Sequence, residues 1–451
     1  MGAPMITHQP LPHSPETGRQ QVALRSVRGD RVATVTTGKA TRKPARRYLP
    51  RLLPVEYARF RPHVLGFLER VIPARPSVIL DPMAGTAPLL PFVQTHGHTG
   101  YFADLLPVHY YANRLRSYDS CRLYRQLGRE KIIDMVLRSS GRLRSVAERQ
   151  RISADWFDRE TLSALVSTWR NLEQHIEPIR GMLQACVLFS ARDLSTYSKT
   201  KNGTWPRPGG IAPATPLRTV LERALFRPEN RPVDGLEPYY GVTYGNLQPG
   251  PLGKVRVVQA DAARLRIPRP VDLIITSPAY CNRLDYQRMY GPELSFLAAV
   301  GSAFDSAAVL GTNIVRDYTR FESDFGYATT RSRSVARFLS TVEERQRSSE
   351  RSSNYYVRCF TRYFARLFTT FEHLLENLAP NGRLVVVTQD NSHRGELIRI
   401  DAALRDLLRR NGFRIDLARQ WSVHHLGKRN VSRHYPAITH LQTERVLVAH
   451  R

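Results

Sequence analysis

Four consecutive residues, Ser277-Pro278-Ala279-Tyr280, close an apolar run that begins at Val271, and their types suit recognition of a planar base. Ser277 supplies a hydroxyl acceptor, Pro278 fixes its own φ and lacks an N–H group, and Tyr280 supplies an aromatic face. A heterocycle with an exocyclic amino group needs such acceptors and a ring to stack on. Short motifs also arise by chance, so a plain turn with a core tyrosine is the alternative interpretation.

Acidic residues end three of the predicted strands. Asp81 precedes a turn of small residues around Gly85, Asp104 lies 23 positions after Asp81, and Asp261 follows a third apolar run. In a nucleotide-binding β-α-β unit, glycine permits close backbone approach and an acid at about this spacing accepts hydrogen bonds from ribose hydroxyls. Each acid alone is more often a cap or a surface ion-pair partner. Three at successive strand ends favour a binding site.

Alternating strands and helices must position these residues. Apolar runs predict strands over 77–81, 99–104, 253–259, 271–275, 384–387, 413–421 and 444–449. Apolar spacings of three and four predict helices within 48–72, 130–143, 158–176, 179–191, 292–300, 355–378 and 400–410. This alternation predicts an α/β fold with a doubly wound, mostly parallel, seven-stranded Rossmann-like sheet, a helical and loop insertion, and ligands at the carboxyl ends of the strands.

The pattern also predicts a domain organisation. Residues 1–46 lack an apolar period and contain part of the basic cluster 39–47, which predicts a disordered basic arm. Residues 47–106 and 253–451 form the predicted catalytic domain, interrupted by 107–252. Within that insertion, 195–250 is loop-like.

Basic and aromatic residues are interleaved in this loop-like part, which suits phosphate contact and base stacking, although a solvated loop is equally compatible: Lys199, Lys201, Trp205, Arg207, Arg231, Tyr239, Tyr240 and Tyr244. The insertion and residues 283–353 together are the predicted target-recognition region. Residues 331–353, rich in Arg, Ser and Glu, are expected to be mobile or to face DNA.

Composition bounds the partners and the compartment. The chain has 67 Lys and Arg against 39 Asp and Glu, a net charge of +28, which favours a polyanionic partner, unless the source proteome is generally basic. Its four cysteines show no C-x-x-C spacing, so no metal site or disulfide framework is predicted, and a reducing cytoplasmic setting is expected. No membrane-spanning run and no secretory signal are predicted from these residues.

On these residues the chain resembles the S-adenosylmethionine-dependent DNA amino-methyltransferases of the N4-cytosine/N6-adenine type. The sequence D-P-M-A-G-T-A-P at 81–88 is similar to the family's D-P-F-A-G-S-G-T loop, and Ser277-Pro278-Ala279-Tyr280 is similar to its S-P-P-Y motif. The likeness covers roughly 50–120 and 253–451. It implies a methyltransferase sheet, S-adenosylmethionine as cofactor, DNA as partner, and a role in DNA methylation such as restriction-modification, with a possible restriction or defence-system partner.

The resemblance also implies roles for single residues. The first loop would hold the methionine part of the cofactor, Asp104 the ribose, and Asp261, with Ala262 beside it, the adenine. Ser277 and the Pro278 carbonyl would accept hydrogen bonds from the target amino group, and Tyr280 would stack on the flipped base. The residues of the first loop are Asp81, Pro82, Met83, Ala84, Gly85 and Thr86.

Four positions depart from the family pattern: Met83, Ala87, Pro88 and Ala279. Ala87 replaces a glycine and narrows the loop. Ala279 replaces a proline and relaxes the turn that aims the acceptors. Asp285-Tyr286 resembles a recurrent sequence after the motif, with no role assigned.

The expected reaction is direct methyl transfer to an exocyclic nitrogen, whose lone pair is delocalised into the ring. Two acceptors around that nitrogen would stabilise the charge that develops on it. Cys281 has no activating neighbour in sequence and is expected to be structural. By family likeness, Ser277 in place of an acid or amide favours cytosine N4. His424-His425 and Lys428-Arg429 are read as an ordinary solvated loop that could also contact phosphates.

Two other functions stay open. The chain could methylate base amino groups of RNA, or less plausibly a protein amide, because similar acceptor and aromatic motifs serve those targets. Alternatively, the substitutions Ala87 and Ala279 could mark a nucleic-acid-binding subunit without turnover.

Overall fold

The structure is a computed structural model that describes residues 60–139, 156–199, 206–210, 216–225, 251–281, 286–302, 320–347, 355–393, 396–424 and 441–451. Several predictions therefore lie outside the described residues. They are the basic arm 1–46 with its cluster 39–47, the loop residues Lys201, Trp205, Arg231, Tyr239, Tyr240 and Tyr244, and the positions Asp285, His425, Lys428 and Arg429.

A seven-stranded sheet organises the described part of the chain. Its strands, numbered within this sheet, are β1 (Val78–Asp81), β2 (Thr99–Asp104), β3 (Val255–Gln259), β4 (Val271–Thr276), β5 (Leu378–Gln389), β6 (Arg414–His424) and β7 (Leu441–His450). Their order is β3-β2-β1-β4-β5-β7-β6, with β1 to β5 mutually parallel and β7 antiparallel to both neighbours. The predicted α/β fold with a mostly parallel sheet is confirmed.

The first five strands have the order 3-2-1-4-5, which is the doubly wound arrangement of Rossmann-like folds. In such sheets the strand order reverses between β1 and β4, and a crevice opens there at the carboxyl ends of the strands. The motifs at Asp81 and Ser277 follow these two strands.

The helices of the described residues are α1 (Pro62–Val71), α2 (Leu90–Thr95), α3 (Pro107–Leu115), α4 (Tyr118–Leu127), α5 (Arg129–Arg138), α6 (Arg159–Leu172), α7 (Ile179–Ala191), α8 (Leu217–Leu225), α9 (Tyr286–Met289), α10 (Gly291–Ala299), α11 (Phe321–Arg331), α12 (Arg333–Arg347), α13 (Tyr355–Glu376) and α14 (Ile400–Arg410). Two short ribbons pair Ser198–Lys199 with Pro206–Arg207, and Asn391–His393 with Glu396–Ile398. None of the helices described combines the length and apolar character of a membrane span.

Alternation along the strands divides the core between the two faces of the sheet. Leu273 of β4 contributes to the core formed with α1 and α2, whereas Ile274 contributes to the core formed with α12, α13 and α14. Both side chains are fully buried. Because a parallel strand is covered on both faces, its sequence is a continuous apolar run rather than an alternating one. This explains why Val271–Thr276 was recognisable from sequence.

Helices α3 to α8 and α10 form a third core beside the sheet. Inside it, Arg192, directly after α7, and Glu293 of α10 make a buried ion pair, with Nε and Oε1 2.6 Å apart. The guanidinium also donates to the carbonyl of Met289 at 2.5 Å. Residues before and after β4 therefore pack together in one helical unit, although its predicted role in target recognition stays a prediction.

Some expectations from sequence were wrong. The segment 195–250 was expected to be a loop, but it contains helix α8, in which Val220 and Leu221 are buried. The segment 331–353 was expected to be mobile or to face DNA. Its residues 333–347 instead form helix α12, one face of which packs on the core, and contact with DNA stays a prediction. Val335, Leu339 and Val342, spaced at four and three, are buried there. Their period was hidden in a composition dominated by arginine, serine and glutamate.

Candidate active site at the carboxyl edge of the sheet

Parallel pairing brings the predicted site residues to one edge of the sheet. Asp81 is the last residue of β1 and Asp104 the last of β2, while Asp261 lies two positions beyond β3. Ser277 follows directly on β4, which pairs with β1 through Ile79↔Leu273 and Leu80↔Ile274. From a strand separation of about 4.8 Å and a rise of about 3.3 Å per residue, the Cα atoms of Asp81 and Ser277 are roughly 8 Å apart.

The loop after β1 is folded back onto β2 by backbone hydrogen bonds. Ala84 N donates to Ala103 O at 2.9 Å, and Gly85 N donates to Asp104 Oδ2 at 2.8 Å. Gly85 has φ +54°, and a Cβ built at this position would meet nothing within 4 Å. Open space therefore lies beside the loop at the point where the family resemblance places the cofactor.

Ala87 adopts the left-handed backbone region, with φ +41°. Its methyl group is fully buried in the core beneath α1 and α2. A left-handed alanine costs about 1 kcal/mol relative to glycine, because its Cβ crowds the following carbonyl. Ala87 thus adopts a turn that glycine would adopt without strain, and its methyl group is buried in the core.

Asp104 holds the loop and the start of α3 together. Its Oδ2 accepts the Gly85 N–H, while its Oδ1 accepts the Leu106 N–H at 2.9 Å and lies 3.0 Å from Nδ1 of His109. A carboxylate offers about four acceptor positions, and backbone N–H groups of Gly85 and Leu106 occupy two of them here. If a ribose were bound here, it would contact a carboxylate that already holds the backbone in place.

Asp81 is buried, with only 1% of its surface exposed. Burial raises its pKa well above the usual value, and the nearby charge of Asp104 raises it further. The backbone N–H of Met83, which donates to Oδ1 at 3.3 Å, and the Thr276 hydroxyl nearby oppose this shift only in part. Burial therefore favours the protonated form of this carboxyl group.

Asp261 is tied to its own turn and to helix α13. Its Oδ1 accepts the Ala263 N–H at 3.0 Å, and its Oδ2 lies 3.4 Å from Nη2 of Arg366. Ala262 is buried. The three acids of the edge therefore differ in environment: Asp81 is buried with no cation among the described groups that shift its pKa, Asp104 holds a loop, and Asp261 pairs with an arginine.

Two side chains from distant segments hold the Ser277–Tyr280 turn. The buried phenol of Tyr363 on α13 donates to the carbonyl of Ala279 at 2.8 Å. The phenol of Tyr280 donates to Oε1 of Gln389, the last residue of β5, also at 2.8 Å. Pro278 is buried and Ser277 is partly exposed. Tyr280 is thus part of an anchored turn rather than of the hydrophobic core.

A polar row continues from Tyr280 across the sheet. Gln389 and Glu444 are direct partners in the pairing of β5 and β7, and Glu444 is in turn opposite Trp421 of β6. Because directly opposite residues point to the same face, these side chains form a row at the carboxyl edge. Burial raises the pKa of Tyr280, and the charge of Glu444 adds to the effect.

Helix α1 covers this row. His63 Nε2 lies 3.0 Å from Oε2 of Glu444, and the His63 ring lies 4.9 Å from the ring of Trp421. Arg61, just before α1, approaches the same carboxylate to 3.9 Å. The carboxylate of Glu444, 5% exposed, is therefore stabilised by groups on α1.

Tyr286 is buried at the start of α9. Burial raises its pKa, and the neighbouring Tyr280 and Asp104 raise it further. Cys281 is buried, and burial raises the pKa of its thiol. A thiol that keeps its proton is a poor nucleophile, which agrees with the expectation that Cys281 is structural.

Sequence reasoning missed the residues that hold the motifs. Gln389 could have been found, because it is a polar residue at the carboxyl end of a predicted apolar strand. Tyr363 and His63 gave no signal, since each lies in an amphipathic helix and reads as an ordinary core or surface residue. His109, Arg366 and Glu444 belong to the same missed group.

Comparisons of the chain with models of protein families, with curated proteins and with solved structures found no match. The geometry described above and the motifs in the sequence are therefore the basis for the function considered next.

Proposed function

We propose that this chain is an S-adenosylmethionine-dependent DNA methyltransferase that transfers a methyl group to the exocyclic amino group of a flipped base, with cytosine N4 as the preferred target. One observation carries the proposal. The Ser277–Tyr280 turn and the loop around Gly85 follow two neighbouring parallel strands, β4 and β1, on either side of the point where the strand order reverses. Ligands of doubly wound sheets bind at this point.

The cofactor suits the residues on the β1 side. Open space lies beside Gly85, and the buried Asp81 lacks a cationic partner among the groups that shift its pKa. The methionine part of S-adenosylmethionine carries an ammonium group that would supply this missing positive charge. Asp104 and Asp261 would contact the ribose and the adenine. When bound, the cofactor supplies an electrophilic methyl group on a sulfonium.

The residues on the β4 side would prepare the target nitrogen. The Ser277 hydroxyl and the Pro278 carbonyl accept its two hydrogens, which favours a pyramidal nitrogen with an available lone pair and stabilises the developing positive charge. Tyr280 stacks on the base and is itself held by Gln389. With both reactants fixed, positioning provides much of the remaining rate acceleration.

Charge supports a nucleic acid as the partner. A net charge of +28 gives a long-range attraction to phosphate and a steep dependence of binding on salt. Duplex DNA is favoured as a partner by the resemblance of the two motifs, because charge alone does not separate DNA from RNA. A target amino group in a duplex is paired, so the base must leave the stack before transfer.

The test is transfer of labelled methyl groups by the purified full-length chain. Unmodified duplex DNA, RNA and a reaction without nucleic acid are compared, and the methylated nucleosides are identified by mass spectrometry. Label in N4-methylcytosine of DNA is expected. Label confined to RNA would replace the DNA assignment with an RNA one.

Calorimetry separates an inactive enzyme from a binding subunit. Saturable binding of S-adenosylmethionine is expected, with weaker binding when Asp81 is replaced by Asn. If the chain bound duplex DNA but not S-adenosylmethionine at millimolar concentration, the chain would be a nucleic-acid-binding subunit and the enzymatic proposal would be wrong.

A further inference from the structure

We infer that Tyr363, on helix α13, is a positioning residue for the reaction. Its hydroxyl constrains the Ser277–Tyr280 turn in the way that a second proline, at position 279, would. This inference rests on the proposed function. It concerns a residue outside both motifs, 84 positions from the carbonyl that it contacts.

The turn needs an external constraint. Pro278 fixes its own φ, but Ala279 leaves two backbone dihedrals free between Pro278 and Tyr280. Within the described residues, the Ala279 N–H donates to no backbone carbonyl, so this N–H does not fix the turn. The carbonyl of Ala279 is held instead by the Tyr363 hydroxyl at 2.8 Å.

The other end of this contact is rigid. Tyr363 is 4% exposed and lies within the run of α13 that packs on the sheet, between the buried residues Phe360, Phe364 and Leu367. Burial raises the pKa of Tyr363 well above its usual value, so the phenol stays protonated and acts as a donor. A buried phenol without a partner is costly, which further favours the contact with Ala279.

The geometry links this contact to catalysis. The hydrogen bond from Tyr363 fixes the peptide unit between Ala279 and Tyr280. This limits rotation of the neighbouring Pro278 carbonyl and of the Tyr280 ring. Gln389 holds the Tyr280 hydroxyl from β5. The turn is therefore held by α13 on one side and by the end of β5 on the other, and Ser277 is held because it directly follows β4.

The experiment is a double-mutant cycle with Tyr363→Phe and Ala279→Pro, read in the methyl-transfer assay at saturating cofactor. Tyr363→Phe keeps the ring and its packing but removes the hydroxyl. We expect turnover to fall about 10-fold or more, because misplacement of a reacting group by about 1 Å costs up to roughly 100-fold. The dissociation constant of S-adenosylmethionine should change less than about 2-fold, since the first loop is untouched.

The decisive variant is Tyr363→Phe combined with Ala279→Pro. If the phenol replaces the constraint of a proline, turnover of the double variant should return to within about 3-fold of Ala279→Pro alone, because proline fixes φ at 279 without the phenol. Tyr327→Phe is the matched control. It also removes a phenol that is hydrogen-bonded on the α13 side of the sheet, where Tyr327 donates to Glu372, but it leaves the turn intact. Its turnover should equal that of the unaltered chain.

The outcomes separate the inference from the proposed function. A normal rate for the folded Tyr363→Phe variant, beside an active unaltered chain, would overturn the role of Tyr363 alone. So would a loss of turnover that Ala279→Pro fails to restore, because that pattern describes a structural phenol. Absence of transfer by the unaltered chain, with any nucleic acid, would remove both the proposed function and the inference.

Discussion

The loop around Gly85 and the turn around Tyr280 lie at the same edge of the sheet, but they are held in different ways. The loop is fixed by backbone N–H groups that donate to residues of the adjacent strand, Ala103 and Asp104. The turn is fixed by side chains, one from α13 and one from the end of β5. Under the proposed function, the loop would bind a cofactor of constant shape, for which local backbone contacts suffice. The turn would admit a flipped base, and it depends on distant elements that can be adjusted separately.

The difference should appear in which kinetic constant each side controls. Substitutions on the β1 side should weaken the cofactor complex, and substitutions on the β4 side should slow transfer with the cofactor complex intact. The following predictions test this separation, beginning with the largest expected effect.

Replacement of Tyr280 by Ala should give the largest loss. Removing the stacking surface for the base, worth about 1–3 kcal/mol, and releasing the hydrogen bond to Gln389 should lower turnover roughly 100-fold. The cofactor dissociation constant should stay within about 3-fold. The assay is single-turnover methyl transfer together with calorimetry.

Tyr280→Phe is the matched control, since it keeps the ring and removes only the hydroxyl. It should lose less than about 10-fold in turnover. Equal losses for Ala and Phe would assign the effect to the hydrogen bond and contradict base stacking. An unchanged rate for Tyr280→Ala would contradict the catalytic assignment of the turn.

Asp81→Asn should weaken S-adenosylmethionine binding about 10-fold, corresponding to roughly 1.4 kcal/mol for one lost charge interaction. At the same time it should raise the melting temperature at pH 7 by roughly 2 °C or more, because a buried carboxyl group with a raised pKa is replaced by a neutral amide. Calorimetry and thermal unfolding measure the two effects. A residue that lowers the stability of the fold but raises its affinity for a ligand is typical of a functional site. If the Asp81→Asn variant bound S-adenosylmethionine with unchanged affinity, Asp81 would not belong to the cofactor site.

The raised pKa of Asp81 should also affect how the stability of the chain depends on pH. The pKa of Asp81 is raised in the folded chain, so between the ordinary Asp pKa, about 3.9, and the raised value the unfolded chain has lost a proton that the folded chain retains. The contribution of Asp81 to stability therefore falls as pH rises through this window and is constant above it. Urea unfolding of the unaltered chain and of Asp81→Asn, measured from pH 4 to 8, should diverge through that window. Parallel curves would show that folding does not raise the pKa of Asp81.

Ala87→Gly should have the smallest effect. Relief of the left-handed alanine gains about 1 kcal/mol, and loss of the buried methyl group costs about as much, so the free energy of unfolding should change by less than about 0.5 kcal/mol. Ala84→Gly is the matched control, because Ala84 is also buried but has no positive φ, and it should lose about 1–2 kcal/mol. Urea unfolding measures both. Similar losses at the two positions would show that the left-handed turn at Ala87 carries no strain.

Much of the fold could be predicted because local patterns of apolar and turn residues specify its strands and helices. The predicted strand 99–104 and helix 400–410 coincide with the observed elements. The boundaries at 271–275 and 179–191 agree to within a residue. The errors arose where composition outweighed periodicity, as in α12, whose buried face is carried by a few apolar residues among many polar ones.

For the site, the sequence by itself determined which residues end parallel strands, and hence that Asp81, Asp104, Asp261 and Ser277 share one edge. Apolar runs and turn residues are local signals, and parallel pairing brings their ends together. Only the tertiary structure decided which groups hold them. Tyr363 and Gln389 lie 84 and 109 positions from their partners in the turn. An amphipathic pattern specifies that such a tyrosine is buried, but the rotation and register of α13 against the sheet determine which carbonyl its hydroxyl meets.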